Sequence, residues 1–152
     1  GNIYSRQGEI DQAINEYKQV IALAPDSPVG YNELAYNYAE SKTNLDEGLE
    51  YALKAAKLAP KDASILDTLG WGYYKKDNFN KAIESLKSAV ESRPNSPTIR
   101  FHLGMAYYKN GNLKNALNEY KHSLKISGRF KEAPKAKEMI KSIENQLDQT
   151  QK

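Results

Sequence analysis

At 152 residues the chain has the length of one ordinary domain with a continuous core. It contains no cysteine, which excludes a disulfide framework, a thiolate nucleophile and a cysteine-based zinc site, and its net charge of +3 is too small to imply nucleic acid by itself. Apolar runs such as Val20-Ile21-Ala22-Leu23-Ala24 are far too short to span a bilayer, so membrane insertion is not expected, while the lack of cysteine suits cytoplasm and periplasm alike.

Self-similarity at a fixed period organises everything else. Pro25, Pro60 and Pro94 are spaced 35 and 34 apart, and another 34 residues lead to Gly128. Four further columns share this register: Tyr4, Tyr38, Tyr73, Tyr107; Gly1, Ala35, Gly70, Gly104; Ala13, Gly48, Ala82, Ala116; and Val20, Ala55, Ala89, Ser123. A recurrence of this kind marks a stack of supersecondary units, none of which can bury its apolar face alone.

In chain order, residues 1–27 read as a partial first repeat. Gly1 already lies midway through a helix in this register, so Gly1-Asn2-Ile3-Tyr4-Ser5 is expected to be its tail, with the preceding residues missing. Arg6-Gln7-Gly8-Glu9 is expected to break the chain before a second helix carrying Ile10, Ile14 and Tyr17. These three lose part of their cover at an open end, and end-to-end homo-oligomer contacts are expected there. Residues 28–62 form the second repeat. It has one extra residue around Glu40-Ser41-Lys42-Thr43-Asn44, lacks a turn glycine and carries Gly48 where alanine stands elsewhere, so a slightly looser hairpin is expected.

The third repeat, 63–96, places Ile65, Leu66, Leu69 and Tyr73 on one helix and Phe79, Ala82, Ile83, Leu86, Ala89 and Val90 on the next, both at helical spacing. The fourth, 97–130, turns at Lys109-Asn110-Gly111-Asn112. Helices are expected to stop before each proline and to restart on caps such as Asp62 and Asn95-Ser96. In 131–148, Ala136, Ile140, Ile143 and Leu147 recur at four, three and four, opposite Lys135, Glu138, Lys141 and Glu144. That is a capping helix starting near Pro134, followed by a frayed tail at 149–152.

These residues resemble the tetratricopeptide repeat. Leu69-Gly70, Tyr73, Ala82, Leu86, Ala89 and Pro94 match its columns best, and Leu103-Gly104, Tyr107, Gly111, Ala116 and Tyr120 nearly as well, over residues 1 to about 128. The stretch Leu66-Asp67-Thr68-Leu69-Gly70-Trp71 looks like bacterial members. The resemblance implies an all-α, right-handed solenoid of antiparallel helix pairs with a C-terminal capping helix. It also implies a non-catalytic scaffold or adaptor that binds a protein or peptide along the concave groove. Carried over by register, the groove positions are Asn32 and Tyr36, then Asp67, Trp71 and Tyr74, then Phe101, His102, Met105 and Tyr108, with Asn2, Ser5 and Arg6 ahead of them. A line of large residues, Tyr36, Trp71 and Met105, in an apolar and aromatic groove suits a peptide with hydrophobic anchors. The bland alternative is that these side chains pack on neighbouring helices. The family's chaperone-binding members clamp a terminal carboxylate with cationic residues; Glu33, Ser64 and Thr68 stand at corresponding places, so that clamp is absent.

Catalysis finds no purchase, because there is no glycine-rich phosphate loop, His-Glu-x-x-His or Gly-x-Ser-x-Gly motif. No cofactor, metal site or small-molecule substrate is expected; His102 and His122 fall on different helices without an acidic or second histidine partner at i+4. Residues 109–141 hold nine Lys or Arg against three Glu, which reads as a solvated face in preference to a nucleic-acid site. Stacking through the open N-terminal end is the alternative function.

Overall fold

The computed structural model describes the backbone of residues 2–151 and the side chains of residues 6–151. Gly1 and the Tyr4 side chain, both column members, and the groove side chains Asn2 and Ser5 lie outside the described residues. Among the described residues the chain forms eight helices and no strand: α1 (Asn2–Leu23), α2 (Pro28–Ser41), α3 (Leu45–Leu58), α4 (Ala63–Lys75), α5 (Phe79–Ser92), α6 (Pro97–Lys109), α7 (Leu113–Ile126) and α8 (Ala133–Thr150).

The helices start and stop for local reasons. Asp62 accepts a hydrogen bond from the Ile65 N–H (3.1 Å), and Ser96 does the same for Ile99 (3.3 Å). Asn78 and Asn112 cap α5 and α7 by the same bond, to Lys81 and Asn115. Each satisfies one of the N–H groups that a helix start leaves without a partner. The helices that precede Pro25, Pro60 and Pro94 end at Leu23, Leu58 and Ser92, because a residue ahead of proline is pushed out of the helical region.

Consecutive helices pair as α2–α3, α4–α5 and α6–α7, and each hairpin packs against the next. The first helices also meet one another, α2 on α4 and α4 on α6, which puts them on the inner side of the stack. The small-residue columns lie at the crossings: Ala35, Ala55, Ala82, Ala89 and Ala116 are all buried. A Cβ on Gly48 would stand 2.8 Å from that of Tyr38, which is why glycine replaces alanine there. Val20 departs from its column. It is 38% exposed, whereas Ala55, Ala89 and Ser123 are fully covered.

Three expectations need correction. The break at Arg6-Gln7-Gly8-Glu9 does not form, and α1 runs straight through it. Gly8 keeps helical backbone there, without the left-handed φ that ends a helix. A helix once nucleated therefore simply propagates. The second hairpin is not loosened at its turn. Its extra residue lies in α2, 14 residues long against 13 for α4 and α6, and the turn closes with Lys42 and Asn44 both left-handed (φ 56° and 47°) in place of a glycine. The last helix continues to Thr150, through part of the tail expected to fray from 149.

At the C-terminal end, α8 lies on α7 with Ala136 and Ile143 fully buried and Ile140 and Leu147 packed beside them. Its outer face carries the ion pairs Lys135–Glu138 (3.3 Å) and, back to α7, Lys121–Glu144 (3.0 Å). This amphipathic helix closes the stack as a polar cap.

Candidate functional site

The inner faces of α2, α4 and α6 form a trough, and the connection between α7 and α8 folds across one end of it. A hollow of roughly 490 Å³ is lined by Tyr36 and Glu40 from α2, Asp67 and Trp71 from α4, and Phe101, His102 and Met105 from α6. Lys131, Glu132 and Lys135 complete its wall from the connection and the start of α8. Toward one side Asn32, Tyr36 and Asp67 share a second hollow with Ser64, Thr68 and Arg93. Toward the other, Tyr74, Phe101, Met105 and Tyr108 line a third beside Met139. The register positions from Asn32 to Tyr108 are thus brought to one continuous surface.

Their exposure differs sharply. Tyr36 is 44% exposed and offers a free ring, whereas Phe101 is only 3% exposed. Phe101 packs on Tyr120 (centroids 5.5 Å apart) and on Phe130 of the α7–α8 connection (6.3 Å), and it serves the core. Trp71 is stacked between Tyr74 (4.9 Å, 3° between planes) and His102 (4.8 Å, 26°), with Lys75 Nζ 4.7 Å from its ring centre. Its indole N–H donates to Glu40 Oε1 at 2.8 Å, across thirty-one residues of sequence. Trp71 therefore stiffens the floor and ties three helices together. The free aromatic surface belongs to Tyr36.

The polar groups are coupled across units. His102 Nδ1 and Asp67 Oδ1 are 2.8 Å apart, joining α6 to α4, with both side chains largely covered. Burial lowers the basicity of the ring, but the hydrogen bond and charge of Asp67, with Glu132 and Glu40 behind it, outweigh this. The net result is a His102 pKa above the ordinary 6.5. The Tyr36 phenol is also held up, first by burial and then by Glu40, Glu132, Asp67 and Glu33. Two buried oxygens in the trough accept no hydrogen bond: Oδ1 of Asn32 and Oε2 of Glu132.

A pH test follows from the His102–Asp67 pair. A raised folded pKa means that folding is stabilised while the ring is protonated in the native state. That contribution is complete below the unfolded value and is lost as pH rises through the folded one. Asp67→Asn should cost about 1–2 kcal/mol near pH 5.5 and much less near pH 9, with Glu40, Glu132, Lys131 and Lys135 as the other charges around the ring. Urea unfolding at several pH values reads this, and a loss that does not vary with pH would remove the pair from the account.

Lys131, Glu132 and Lys135 are the trough residues that register reasoning missed. They lie beyond the last repeat, where no column reaches. The one available signal is a large aromatic, Phe130, inside the polar connection Ser127-Gly128-Arg129-Phe130-Lys131-Glu132. At the opposite end, Ile14 is buried against Leu34 and Tyr38, with Ile10 and Tyr17 packed beside them. Among the described residues, the large apolar side chains that α1 and the start of α2 leave open are Val20, Leu23 (88% exposed) and Val29 (58%).

The family model for the TPR repeat matches residues 1–41 and 70–111, and that for the tetratricopeptide repeat matches 97–130. A TPR repeat-containing protein of Pseudomonas aeruginosa is 37% identical over 71 residues, which is 47% of this chain. The match spans only 12% of that relative's length. Among solved structures, a thermophilic TPR protein of Thermus thermophilus superposes with a TM-score of 0.77 at 23% identity, covering 91% of this chain and 74% of that one. The first TPR of Spaghetti (RPAP3), bound to an HSP90 peptide, superposes with 0.73 at 17% identity, over 80% and 94%. At these identities the superpositions speak for the fold alone. The fold is that of protein–protein interaction scaffolds, generally non-catalytic, and with more than half of its length matched the chain belongs to the tetratricopeptide repeat family.

Proposed function

We propose that the chain is a non-catalytic adaptor that holds a segment of a partner protein in the trough of α2, α4 and α6. The observation that carries this is the half-exposed Tyr36 ring beside a hollow large enough for two or three side chains, on a floor already made rigid by the Tyr74–Trp71–His102 stack. A preorganised site spends little of its binding energy on ordering itself. Tyr36, Met105 and Tyr108 supply apolar contact. Terminal-carboxylate recognition does not fit, since the α2 and α4 positions facing the trough include Glu33 and Asp67.

The test is selection of random dodecapeptides displayed on phage against the immobilised chain. Selected synthetic peptides should change the emission of Trp71, the single tryptophan, and Tyr36→Ala should weaken them at least about tenfold, as loss of an interface aromatic does. Peptides that bind without either effect would place the site elsewhere. A second reading, self-assembly at α1, draws on the exposed Val20, Leu23 and Val29. It requires Leu23→Ser, and not Tyr36→Ala, to abolish any oligomer seen by light scattering.

A further inference from the structure

We infer that the trough selects partner segments carrying an arginine or lysine, whose cationic head meets Glu132 at the floor while its stem lies along Tyr36 and Met105. This rests on the trough being the binding site. Glu132 occupies the N-cap position of α8, where the short side chains of Ser, Thr, Asp and Asn cap, and its longer chain makes no capping bond. The carboxylate instead lines the hollow between α2, α4 and α6, and its Oε2 is closed off from solvent with no donor. A carboxylate held partly out of water without a partner charge is costly, and a cation seated in the hollow offsets that cost through charge, without reaching the covered oxygen.

Charge within the trough has one dominant sign. Glu33, Glu40, Asp67 and Glu132 are all partly buried along it, and those four carboxylates are the charges that act most strongly on the Tyr36 phenol. The cations nearby are otherwise engaged or lie outside the floor. His102 is held by Asp67, Lys75 sits over Trp71, Lys135 pairs with Glu138, and Lys131 and Arg93 are exposed. Glu40 already accepts from Trp71, Asp67 faces His102 and Glu33 accepts from Asn32 (3.5 Å), which leaves Glu132 as the carboxylate of the four with no side-chain partner. The opening suits one long side chain with an apolar stem and a charged tip, which is the build of lysine and arginine. A guanidinium can also lie flat on the exposed Tyr36 ring.

The experiment uses the peptides selected on the intact chain. Each peptide is resynthesised with its arginine replaced by citrulline, which keeps shape and loses charge, and by leucine. All are titrated into wild type and Glu132→Gln by Trp71 emission. The selected sequences should share a basic residue. Citrulline should weaken binding about tenfold or more, the scale of a lost charge-assisted hydrogen bond. Glu132→Gln should weaken the arginine peptide by a similar factor and leave the citrulline peptide unchanged, which also shows that the variant is folded. If peptides bind at Tyr36 but lack a basic residue, or tolerate citrulline, the trough reading stands and the cationic anchor is wrong. If no peptide binds, or none responds to Tyr36→Ala, both fail together.

Discussion

Tyr120→Ala lowers the free energy of unfolding by about 3–5 kcal/mol, the range for removing a large aromatic from a packed interior. Tyr120 lies on the face of α7 turned toward α6 and is 1% exposed. Its ring meets Phe101 at 5.5 Å and fills the space left by Gly104, where a Cβ would stand 2.9 Å from the ring. Ala116, Ala136 and Ile143 complete the cluster, so one side chain joins the fourth hairpin to α8. The backbone cannot close the void, because α6, α7 and α8 are each held by contacts elsewhere along their length. Burial pushes the phenol pKa up, and with the side chain packed on all sides the loss is mainly one of packing. Urea unfolding followed by helical circular dichroism measures the change. A cost below about 1 kcal/mol would mean that α8 contributes little to the stack, contrary to the cavity argument. Tyr120→Phe, which keeps the ring, should recover most of the loss.

How much of this was legible beforehand depends on the range of the interaction that sets each feature. The helices, their prolines and the caps at Asp62 and Ser96 are local, and a register of tyrosines and small residues displays them directly. The positions facing the trough follow from the same register, because one helix of each pair must lie inside. Local pattern fails at residues 6–9, where a turn needs a partner helix to hold it, and within α2, where the extra residue is taken up before the turn. It fails again at the α7–α8 connection. Phe130 packs on Phe101 of α6 and brings Glu132 to the wall of the trough, and nothing periodic announces that. Trp71 is the instructive middle case. It lines the hollow between α2, α4 and α6, but its stacking on Tyr74 and His102 belongs to two different helices and gives it the part of floor where register reasoning expects an anchor.

The close approach of α4 and α5 is expected to show strong coupling between Gly70 and Leu86. Leu86 is fully buried, and a Cβ built on Gly70 would lie 2.5 Å from Leu86 Cγ and 3.3 Å from the Ala82 carbonyl oxygen. Leu86→Ala should cost about 2–5 kcal/mol through the cavity it leaves. Gly70→Ala adds a methyl where no space exists. Overpacking of about 1–3 kcal/mol opposes a helix-propensity gain of up to about 1 kcal/mol, and the clash wins because the Cγ branch point, unlike the tip of a long chain, cannot swing aside. In the double variant the new methyl enters the volume Leu86 vacated. The combined loss should therefore fall short of the sum of the singles by at least about 1 kcal/mol, as expected for residues in direct contact. Strict additivity would mean that Gly70 is kept for a reason other than the seating of Leu86, and the spacing rule behind the whole column of small residues would lose its physical basis.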